Sequence, residues 1–274
     1  MPIYSFPPKS VSALPFYDLQ PKKIVLRSKF YTSYPSSSEE RKHNIFLASK
    51  ALNNTMVDSN CEFSFNLTVG PRTEKRGYKT AKIIFNGQFV DGVGGGVCQV
   101  STTLYNAVLL AGLKITEYHP HSLAVNYVAP SFDAMVNSGS ADLKFINTTH
   151  NPVFIKTYAD ESRLSIEIYG EKMNETYTRE SVIEQEITAP DYVIKKDVKG
   201  EFPDLFIGER KVLSYKKNGI ASKGVLIKKV NGKIVSRNTI RKDRYNFVAG
   251  VIIEGTTPPP ETNENKDDDK IIEF

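Results

Sequence analysis

Three consecutive glycines followed almost at once by a cysteine are the feature that most constrains this chain. Residues 94–98 read Gly-Gly-Gly-Val-Cys, and the segment behind them carries apolar residues at helical spacing. The apolar positions are Val100, Leu104, Ala107, Val108 and Ala111. This spacing predicts a helix that ends before Gly112 and buries its apolar face against a sheet. We therefore predict that Cys98 lies at the N-terminus of a buried helix.

The position of Cys98 at a helix start has chemical consequences. Backbone N–H groups and the positive end of the helix dipole stabilise a thiolate, so they lower the pKa of the cysteine and favour its attack on a carbonyl carbon. The same kind of N–H group stabilises the oxyanion that this attack creates. We expect these donors to come from Gly95, Gly96 and Gln99. Cys98 is therefore the predicted nucleophile.

A cysteine nucleophile needs a proton shuttle, and the chain contains four histidines. Two of them, His119 and His121, flank Pro120 shortly after the predicted helix. We favour His121 as the base because it starts an extended run, whereas the following proline constrains His119 to a loop; His119 is the alternative. A third residue is expected to orient the imidazole. The sequence leaves three candidates for this role, which are Asp133, Asn126 and Asp142.

Other interpretations of the same residues stay open. A lone cysteine is usually a small buried hydrophobic residue, and we favour that interpretation for Cys61, beside the strand residues Phe63 and Phe65. A glycine-rich run also cradles phosphate, but no Gly-Lys-Ser/Thr follows Gly96, which disfavours that function. Arg72, in a Gly-Pro-Arg-Thr turn, either clamps a substrate carboxylate or is a solvated turn residue.

Composition limits the class of protein more than its partner. The 274 residues are 40% hydrophobic and carry a net charge of +5, with basic residues scattered among acidic ones. This disfavours nucleic acid and is compatible with weak attraction to an anionic polymer such as a cell wall. The two cysteines lack metal-ligand spacing, so we expect no metal and no cofactor. We find no apolar run of membrane-spanning length and no signal peptide in the first residues, and the oligomeric state is open.

Local patterns predict an α+β domain followed by an all-β module. A capping box at Ser37 and Glu40 precedes apolar residues at helical spacing and predicts a helix over 38–52. The C-terminal third alternates without a helical period, and Asn231-Gly232 between two apolar runs predicts a β-hairpin. The expected divisions are an N-terminal segment over 1–31, an α+β catalytic domain over 32–175, a glycine-containing all-β module over 181–255 and a disordered tail over 256–274.

The motifs resemble the VanW family over about residues 32–170. The most specific block is Gly-Gly-Gly-Val-Cys-Gln-Val-Ser-Thr-Thr-Leu-Tyr-Asn-Ala at residues 94–107. The other matching segments are Arg41 to Ile45, Glu62-Phe-Ser-Phe-Asn, Val69-Gly-Pro-Arg-Thr, Gly77-Tyr78, His119-Pro-His-Ser, Tyr127-Val, Asp133-Ala and Asp142-Leu-Lys-Phe. Residues 181–255 are similar to the wall-associated β module that is named for its five glycines.

The resemblance implies an L,D-transpeptidase of peptidoglycan synthesis. Cys98 is then expected to attack a stem tetrapeptide at its third residue, to expel the terminal D-Ala and to pass the acyl group to the diaminopimelate amine of a neighbouring stem. Transfer to water instead would give an L,D-carboxypeptidase side activity. The expected substrate-binding residues are Arg72, Tyr78, Ser101, Thr102 and Tyr127.

This activity implies an extracytoplasmic, cell-wall-associated protein whose partners are peptidoglycan stem peptides. The role of the β module stays open among glycan binding, a spacer and a lid. The alternative to catalysis is a non-catalytic accessory protein of the glycopeptide-resistance type that binds the wall or its stem peptides.

Overall fold

The computed structural model describes residues 24–85 and 87–259. The first 23 residues of the predicted N-terminal segment, and the predicted tail from residue 260 onward, lie outside these ranges. The chain divides into two compact units. Of the described residues, the first comprises those up to Ile187 together with Gly219–Asn246, and the second comprises Thr188–Asn218 and those from Phe247 onward.

Fifteen strands and three α-helices make up the regular structure of the described residues. The strands are β1 Val25–Ser33, β2 Thr55–Val57, β3 Glu62–Ser64, β4 Thr80–Phe85, β5 Gln88–Val93, β6 Lys114–Glu117, β7 Lys144–Ile146, β8 Val153–Ala159, β9 Arg163–Gly170, β10 Glu175–Ile187, β11 Val193–Lys196, β12 Arg210–Ser214, β13 Gly219–Val230, β14 Lys233–Tyr245 and β15 Val251–Glu254. The helices are α1 Glu39–Leu52, α2 Phe65–Val69 and α3 Val97–Leu110.

The predicted α+β class is wrong, because strand accounts for 45% of the structure and helix for 15%. The two predicted long helices exist as α1 and α3. The segments around them form short strands instead, since they carry β-branched and aromatic residues between glycine and asparagine turns. The protein is therefore mostly β-sheet, with two long helices packed on it.

The first unit is built on an antiparallel sheet with strand order β1-β9-β8-β2. Helices α1 and α3 pack against this sheet and against each other. Ile45, Leu104, Ile155 and Ile166 are completely buried between these layers. Each such side chain contributes about 1.5–3 kcal/mol through removal of apolar surface from water, so this layer fixes the helices relative to the sheet.

The capping residue of α1 is Ser38, whose Oγ accepts a hydrogen bond from the N–H of Arg41 at 3.3 Å. The prediction placed the cap at Ser37, one residue too early. Ser37 Oγ instead accepts a bond from the Arg41 guanidinium, at 3.2 Å. Both serines therefore hold the same arginine at the start of α1.

Strands β10, β13 and β14 form a second antiparallel sheet within the first unit. The predicted hairpin at Asn231-Gly232 is confirmed: β13 and β14 pair directly across it, and the two turn residues have φ of 50° and 77°. The second unit contains the sheet β11-β15-β12. No helix in the described ranges is long and apolar enough to cross a membrane.

Candidate active site

The glycine run before α3 is required by backbone geometry. Gly94 and Gly96 have φ of 87° and 109°, in the left-handed region that side chains disfavour. Gly95 lies so close to β4 that an added Cβ would meet the carbonyl oxygen of Lys82 at 2.7 Å. Helix α3 begins directly afterwards at Val97, so the predicted placement of Cys98 in its first turn is confirmed. The run lets the chain turn tightly beneath the nucleophile candidate.

Helix α3 is buried almost all round, which differs from the one-sided burial that its sequence predicts. Its only residues not classed as buried are Cys98 and Leu110. Several polar side chains on the other faces bond within the protein; Asn106 Nδ2, for example, donates to the carbonyls of Thr102 and Phe132 at 2.8 Å. Cys98 is thus the one partly exposed position in the first turn of a buried helix.

His121 is held by Asp133 through two contacts. The imidazole Nδ1 and the backbone N–H of His121 each lie 2.7 Å from Asp133 Oδ2. The side chains of both residues are at most 5% exposed. With Nδ1 bonded to the carboxylate, Nε2 is the imidazole nitrogen left for an interaction with Cys98, and this interaction shifts the pKa of both groups. The Sγ of Cys98 donates to the Val136 carbonyl at 3.3 Å. The structure therefore brings Cys98, His121 and Asp133 together in series.

Charge decides the protonation states in this series. Burial alone raises the pKa of the Cys98 thiol, but hydrogen bonding to His121 and the positive charges of His121 and Arg72 outweigh it, so the pKa lies below its ordinary value. Burial alone lowers the pKa of His121, but hydrogen bonds to Asp133 and Cys98 raise it to about 9. These opposite shifts favour the thiolate–imidazolium pair over the neutral thiol–imidazole pair.

Asp133 is ionised despite its burial. Burial raises its pKa, but the hydrogen bond to His121 and the charges of His121 and Arg241 hold the pKa below its ordinary value. The carboxylate can therefore fix the tautomer and orientation of the imidazole. Of the three orienting candidates, the structure pairs Asp133 with His121. Asp142 instead accepts hydrogen bonds from Ser64 Oγ at 2.5 Å and from the N–H of Asn66 at 2.9 Å.

Two of the predicted substrate-binding residues interact electrostatically with Cys98. The charge of Arg72 acts on the thiolate, and its Nη1 is anchored by Asn66 Oδ1 at 2.8 Å and by the Gly70 carbonyl at 3.2 Å. Burial first, and then the negative charge of Cys98, raise the pKa of the Tyr127 phenol. A fixed cation and a neutral phenol thus lie near the thiol.

Other predicted residues have structural partners. Ser101 Oγ donates to the Ala134 carbonyl at 2.6 Å, and Thr102 Oγ1 accepts from the Ala134 N–H at 2.9 Å. Their hydroxyls therefore fasten the segment that carries Asp133 to α3. Tyr78 is 3% exposed and belongs to the hydrophobic core.

His119 and Gln99 are also engaged away from the thiol. His119 Nε2 lies 3.0 Å from Glu117 Oε1. The N–H of Gln99 donates to the Gly96 carbonyl at 2.9 Å, which leaves it unsuited to the predicted oxyanion role. Its side chain accepts a bond from Arg41 at 2.7 Å and donates to Thr32 at 3.0 Å.

Three residues at this site escaped the sequence analysis: Arg241, Asp243 and Tyr245 on β14. Tyr245 donates its hydroxyl hydrogen to Asp133 Oδ1 at 2.5 Å, and Arg241 Nη1 donates to the Asp133 carbonyl at 2.6 Å. Their spacing of two residues puts all three side chains on one face of the strand. Nothing local in the sequence marks these residues as part of the site, because their contacts with the Asp133 segment join distant parts of the chain.

Comparison with protein families gives two matches in sequence order. The family described as VanW like protein matches residues 40–169, and the G5 domain family matches residues 178–257. Both agree with the resemblance found in the sequence. The chain is 44% identical over 142 residues to the uncharacterized protein YoaR of Bacillus subtilis, covering 52% of this chain and 47% of that protein.

A second relative is the vancomycin B-type resistance protein VanW of Enterococcus faecalis, 27% identical over 140 residues, which cover 49% of this chain and 50% of that protein. The chain thus spans about half the length of these curated relatives. Among solved structures, an IgA1 protease G5 domain matches 30% of this chain and 90% of its own, with 24% identity and a TM-score of 0.20. The HP0197 G5 domain matches 30% of this chain and 100% of its own, with 17% identity and a TM-score of 0.17.

Proposed function

We propose that this chain, which carries a VanW-like domain over residues 40–169 followed by a G5 domain over residues 178–257, is a cell-wall-associated cysteine L,D-transpeptidase. Both domain matches support the association with the cell wall. The observation that carries the catalytic assignment is the buried series Cys98, His121 and Asp133, with a depressed thiol pKa at one end and an ionised carboxylate at the other. This is the arrangement that activates a cysteine for acyl transfer.

The first half-reaction forms a thioester. The Cys98 thiolate attacks the carbonyl carbon of the third residue of a stem tetrapeptide, and the C–N bond to the terminal D-Ala breaks. The His121 imidazolium donates its proton to the departing amine, so D-Ala leaves as a neutral amine rather than an anion. The positive end of α3, which begins directly after Gly96, stabilises the oxyanion formed on the way.

The second half-reaction transfers the acyl group. The side-chain amine of a diaminopimelate residue on a neighbouring stem attacks the thioester, and neutral His121 accepts the proton that this amine loses. A new amide bond forms, the C–S bond breaks, and the thiolate and imidazolium are restored. Attack by water in place of the amine would hydrolyse the thioester. Because His121 is buried, we expect it to serve an acceptor that binding positions beside it better than bulk water.

Arg72 is the proposed anchor for a carboxylate of the stem peptide. Arg72 is partly buried, desolvation lowers the pKa of its guanidinium, and two hydrogen bonds to Asn66 and Gly70 hold it. A held guanidinium near the thiol binds a carboxylate more specifically than a solvated one. This favours the substrate-clamp interpretation of Arg72 over that of a solvated turn residue.

The test is incubation of the protein with disaccharide-tetrapeptide muropeptides and separation of the products by liquid chromatography and mass spectrometry. Cross-linked dimers and free D-Ala are expected with the wild type, and neither with Cys98→Ala. The buried position expected for Cys61 from the sequence is wrong, because Cys61 is an exposed free thiol. Cys61→Ala is therefore the matched control on a different segment. Equal dimer yields from Cys98→Ala and wild type would refute the proposal.

The alternative is a non-catalytic protein that binds the wall. The observation that favours it is the exposure of aromatic side chains in the second unit, where Tyr215 is 77% and Phe247 is 42% exposed; such rings stack on sugars. Intact-mass spectrometry separates the two functions. A transpeptidase shows an acyl-enzyme adduct on Cys98 when the amine acceptor is withheld, whereas a binding protein pulls down sacculi without any adduct.

A further inference from the structure

We infer that the β13–β14 hairpin, which lies within the G5-matched residues, completes the active site of the VanW-like domain by fixing Asp133 through Tyr245 and Arg241. The inference rests on the proposed function and deepens it. Tyr245 and Arg241 are positioning residues, because they contact Asp133 and not the thiol. This hairpin, which belongs to the same compact unit as Asp133, would then be part of the catalytic machinery.

The two carboxylate oxygens of Asp133 have different partners. Oδ2 receives the imidazole and the backbone N–H of His121, both at 2.7 Å. Oδ1 receives the Tyr245 hydroxyl at 2.5 Å. A carboxylate held at both oxygens cannot rotate, so its lone pairs keep facing His121. Tyr245 is itself held, since its oxygen accepts the N–H of Ser131 at 2.7 Å and its side chain is 1% exposed.

Arg241 adds to His121 a second positive charge that helps to keep the buried Asp133 carboxylate ionised. Its Nη1 donates to the Asp133 carbonyl at 2.6 Å, and its Nη2 lies 3.4 Å from Oδ1. Its Nε donates to Asp243 Oδ2 at 2.6 Å, and its side chain is fully buried. A completely desolvated ion pair contributes to stability only when hydrogen bonds satisfy its remaining donors and acceptors, and Asp243 fulfils that condition.

The formal charges therefore alternate from the buried hairpin residues, through Asp133 and His121, to the partly exposed Cys98 thiol. Asp243 is negative, Arg241 positive, Asp133 negative, His121 positive and Cys98 negative. Each charge is stabilised by its neighbours, so a change at the hairpin end alters the electrostatic support of His121. Tyr245 and Arg241 both bond to Asp133, the carboxylate that orients the His121 imidazole. Side chains that served packing alone would not require this shared partner.

Close backbone packing brings the hairpin to this position. An added Cβ on Gly224 of β13 would meet the carbonyl oxygen of Ser131 at 2.7 Å. Ser131 adopts a φ of 63°, rare for a residue with a side chain, and its Oγ lies 2.8 Å from Ser222 Oγ. The strand thus touches the turn directly before Asp133, and the strained turn is held from the hairpin side.

The test substitutes Tyr245→Phe, which removes the hydroxyl and keeps the ring. All proteins carry Cys61→Ser, so that Cys98 is the sole thiol. The first measurement is the rate of Cys98 alkylation by iodoacetamide against pH, followed by intact mass. We expect the midpoint to move to higher pH, because a less firmly held Asp133 supports the imidazolium less. The second measurement is muropeptide cross-linking, in which kcat is expected to fall by roughly 10–100-fold with little change in KM.

Tyr177→Phe is the matched control, since it removes a hydroxyl from β10 of the same sheet at a position where the ring packs against Gly112. It should leave both measurements at the wild-type values. A third variant, Asp133→Asn, tests whether Tyr245 acts through Asp133. Adding Tyr245→Phe to Asp133→Asn should then move the alkylation midpoint no further.

An unchanged alkylation profile in a folded Tyr245→Phe protein would overturn the inference, as would additive effects of the two substitutions. If Tyr245→Phe does not fold, Arg241→Lys carries the same test, because it keeps the charge and loses the multiple donors. The alkylation result does not depend on transpeptidation. A shifted midpoint together with an absence of cross-linked products would refute the proposed function and leave the positioning role of the hairpin in place.

Discussion

At the scale of single residues, Cys98 and His121 are each subject to opposing effects. Burial disfavours charge on both, whereas the attraction between them favours charge on both. Attraction prevails because Asp133 also stabilises the positive charge on His121, and Arg72 also stabilises the negative charge on Cys98. The largest effect that favours the Cys98 thiolate is therefore the interaction with His121, which opposes the effect of burial on the thiol pKa.

This dependence gives a prediction about pH. The depressed thiol pKa means that Cys98 is reactive below the pH at which ordinary thiols ionise. His121→Gln removes the imidazolium and leaves the burial, so the alkylation midpoint should move to higher pH, and reactivity at pH 7 should fall by about tenfold for each unit of movement. Iodoacetamide alkylation across pH 5–10 in a Cys61→Ser background measures it. A midpoint that stays in place would show that His121 does not support the thiolate.

A second prediction concerns the orientation of His121. Asp133→Asn preserves the size of the side chain but can present an amide N–H to Nδ1, which favours the wrong tautomer of the imidazole. We expect kcat for cross-linking to fall by roughly 10²–10⁴-fold, as for triads in general, and substrate binding to change little. Steady-state kinetics with muropeptides gives both quantities. His150→Gln, at an exposed histidine, should match the wild type; a similar loss there would point to a general effect on folding.

At this scale the sequence predicted what is local and missed what is distant. The placement of Cys98 followed from the helical spacing behind it, and the pairing with His121 from the short return after α3. Tyr245 was not predicted, because its contact with Asp133 joins residues 112 positions apart. A lone tyrosine near the end of a strand carries no local sign of such a contact.

At the scale of elements, the turn into α3 combines two kinds of constraint. Gly96 has a left-handed φ of 109°, and a Cβ there would also meet the carbonyl oxygen of Arg41 at 3.0 Å. Gly95 is limited only by the close approach of β4. Gly87, in the β4–β5 turn, has a φ of 73° with open space around it. Gly87 is therefore constrained by backbone strain alone, Gly95 by steric contact alone and Gly96 by both.

A third prediction follows from this separation. Gly87→Ala should cost about 1 kcal/mol through backbone strain alone, whereas Gly96→Ala should cost roughly 2–4 kcal/mol, because strain and contact act together. Urea unfolding monitored by circular dichroism gives the two free energies. Equal costs would mean that α1 and α3 can separate enough to accept a methyl group, and that their packing does not fix the position of Cys98.

The sequence predicted well those elements whose formation depends on neighbouring residues in the chain. The Asn231-Gly232 turn and helix α1 were found because turn residues and apolar spacing mark them directly. The fold class was wrong because two helices with clear patterns were given more weight than many short strands with weak ones. The burial of α3 on nearly all sides was missed because its polar residues find partners on the segment around Ala134, which local pattern does not reveal.

At the scale of the whole molecule, the family boundaries and the compact units do not coincide. The G5 match covers residues 178–257, yet β10, β13 and β14 belong to the same compact unit as the VanW-like domain. Within the described ranges, the second unit consists of residues 188–218 and 247–259. Sequence families mark stretches of shared ancestry, whereas cooperative units follow packing, and here the hairpin packs on the segment that carries Asp133.

The last prediction tests this division by hydrogen exchange. Gly224→Ala places a methyl group against the Ser131 carbonyl, and Gly255→Ala places one within 2.2 Å of the Leu205 carbonyl in the second unit. Each should destabilise its own unit by about 1–3 kcal/mol. We expect Gly224→Ala to raise exchange in β13 and α3 together, since a cooperative unit opens as a whole, and to leave β15 unchanged.

Gly255→Ala should give the opposite pattern, with faster exchange in β15 and unchanged exchange in α3. If Gly224→Ala loosens β13 but not α3, then the hairpin folds apart from the helix that carries Cys98. Asp133 would in that case keep its orientation through His121 alone, and the hairpin would not contribute to the active site. Parallel loss of protection in both elements would show instead that the stability of the nucleophile's helix depends on residues more than 100 positions further along the chain.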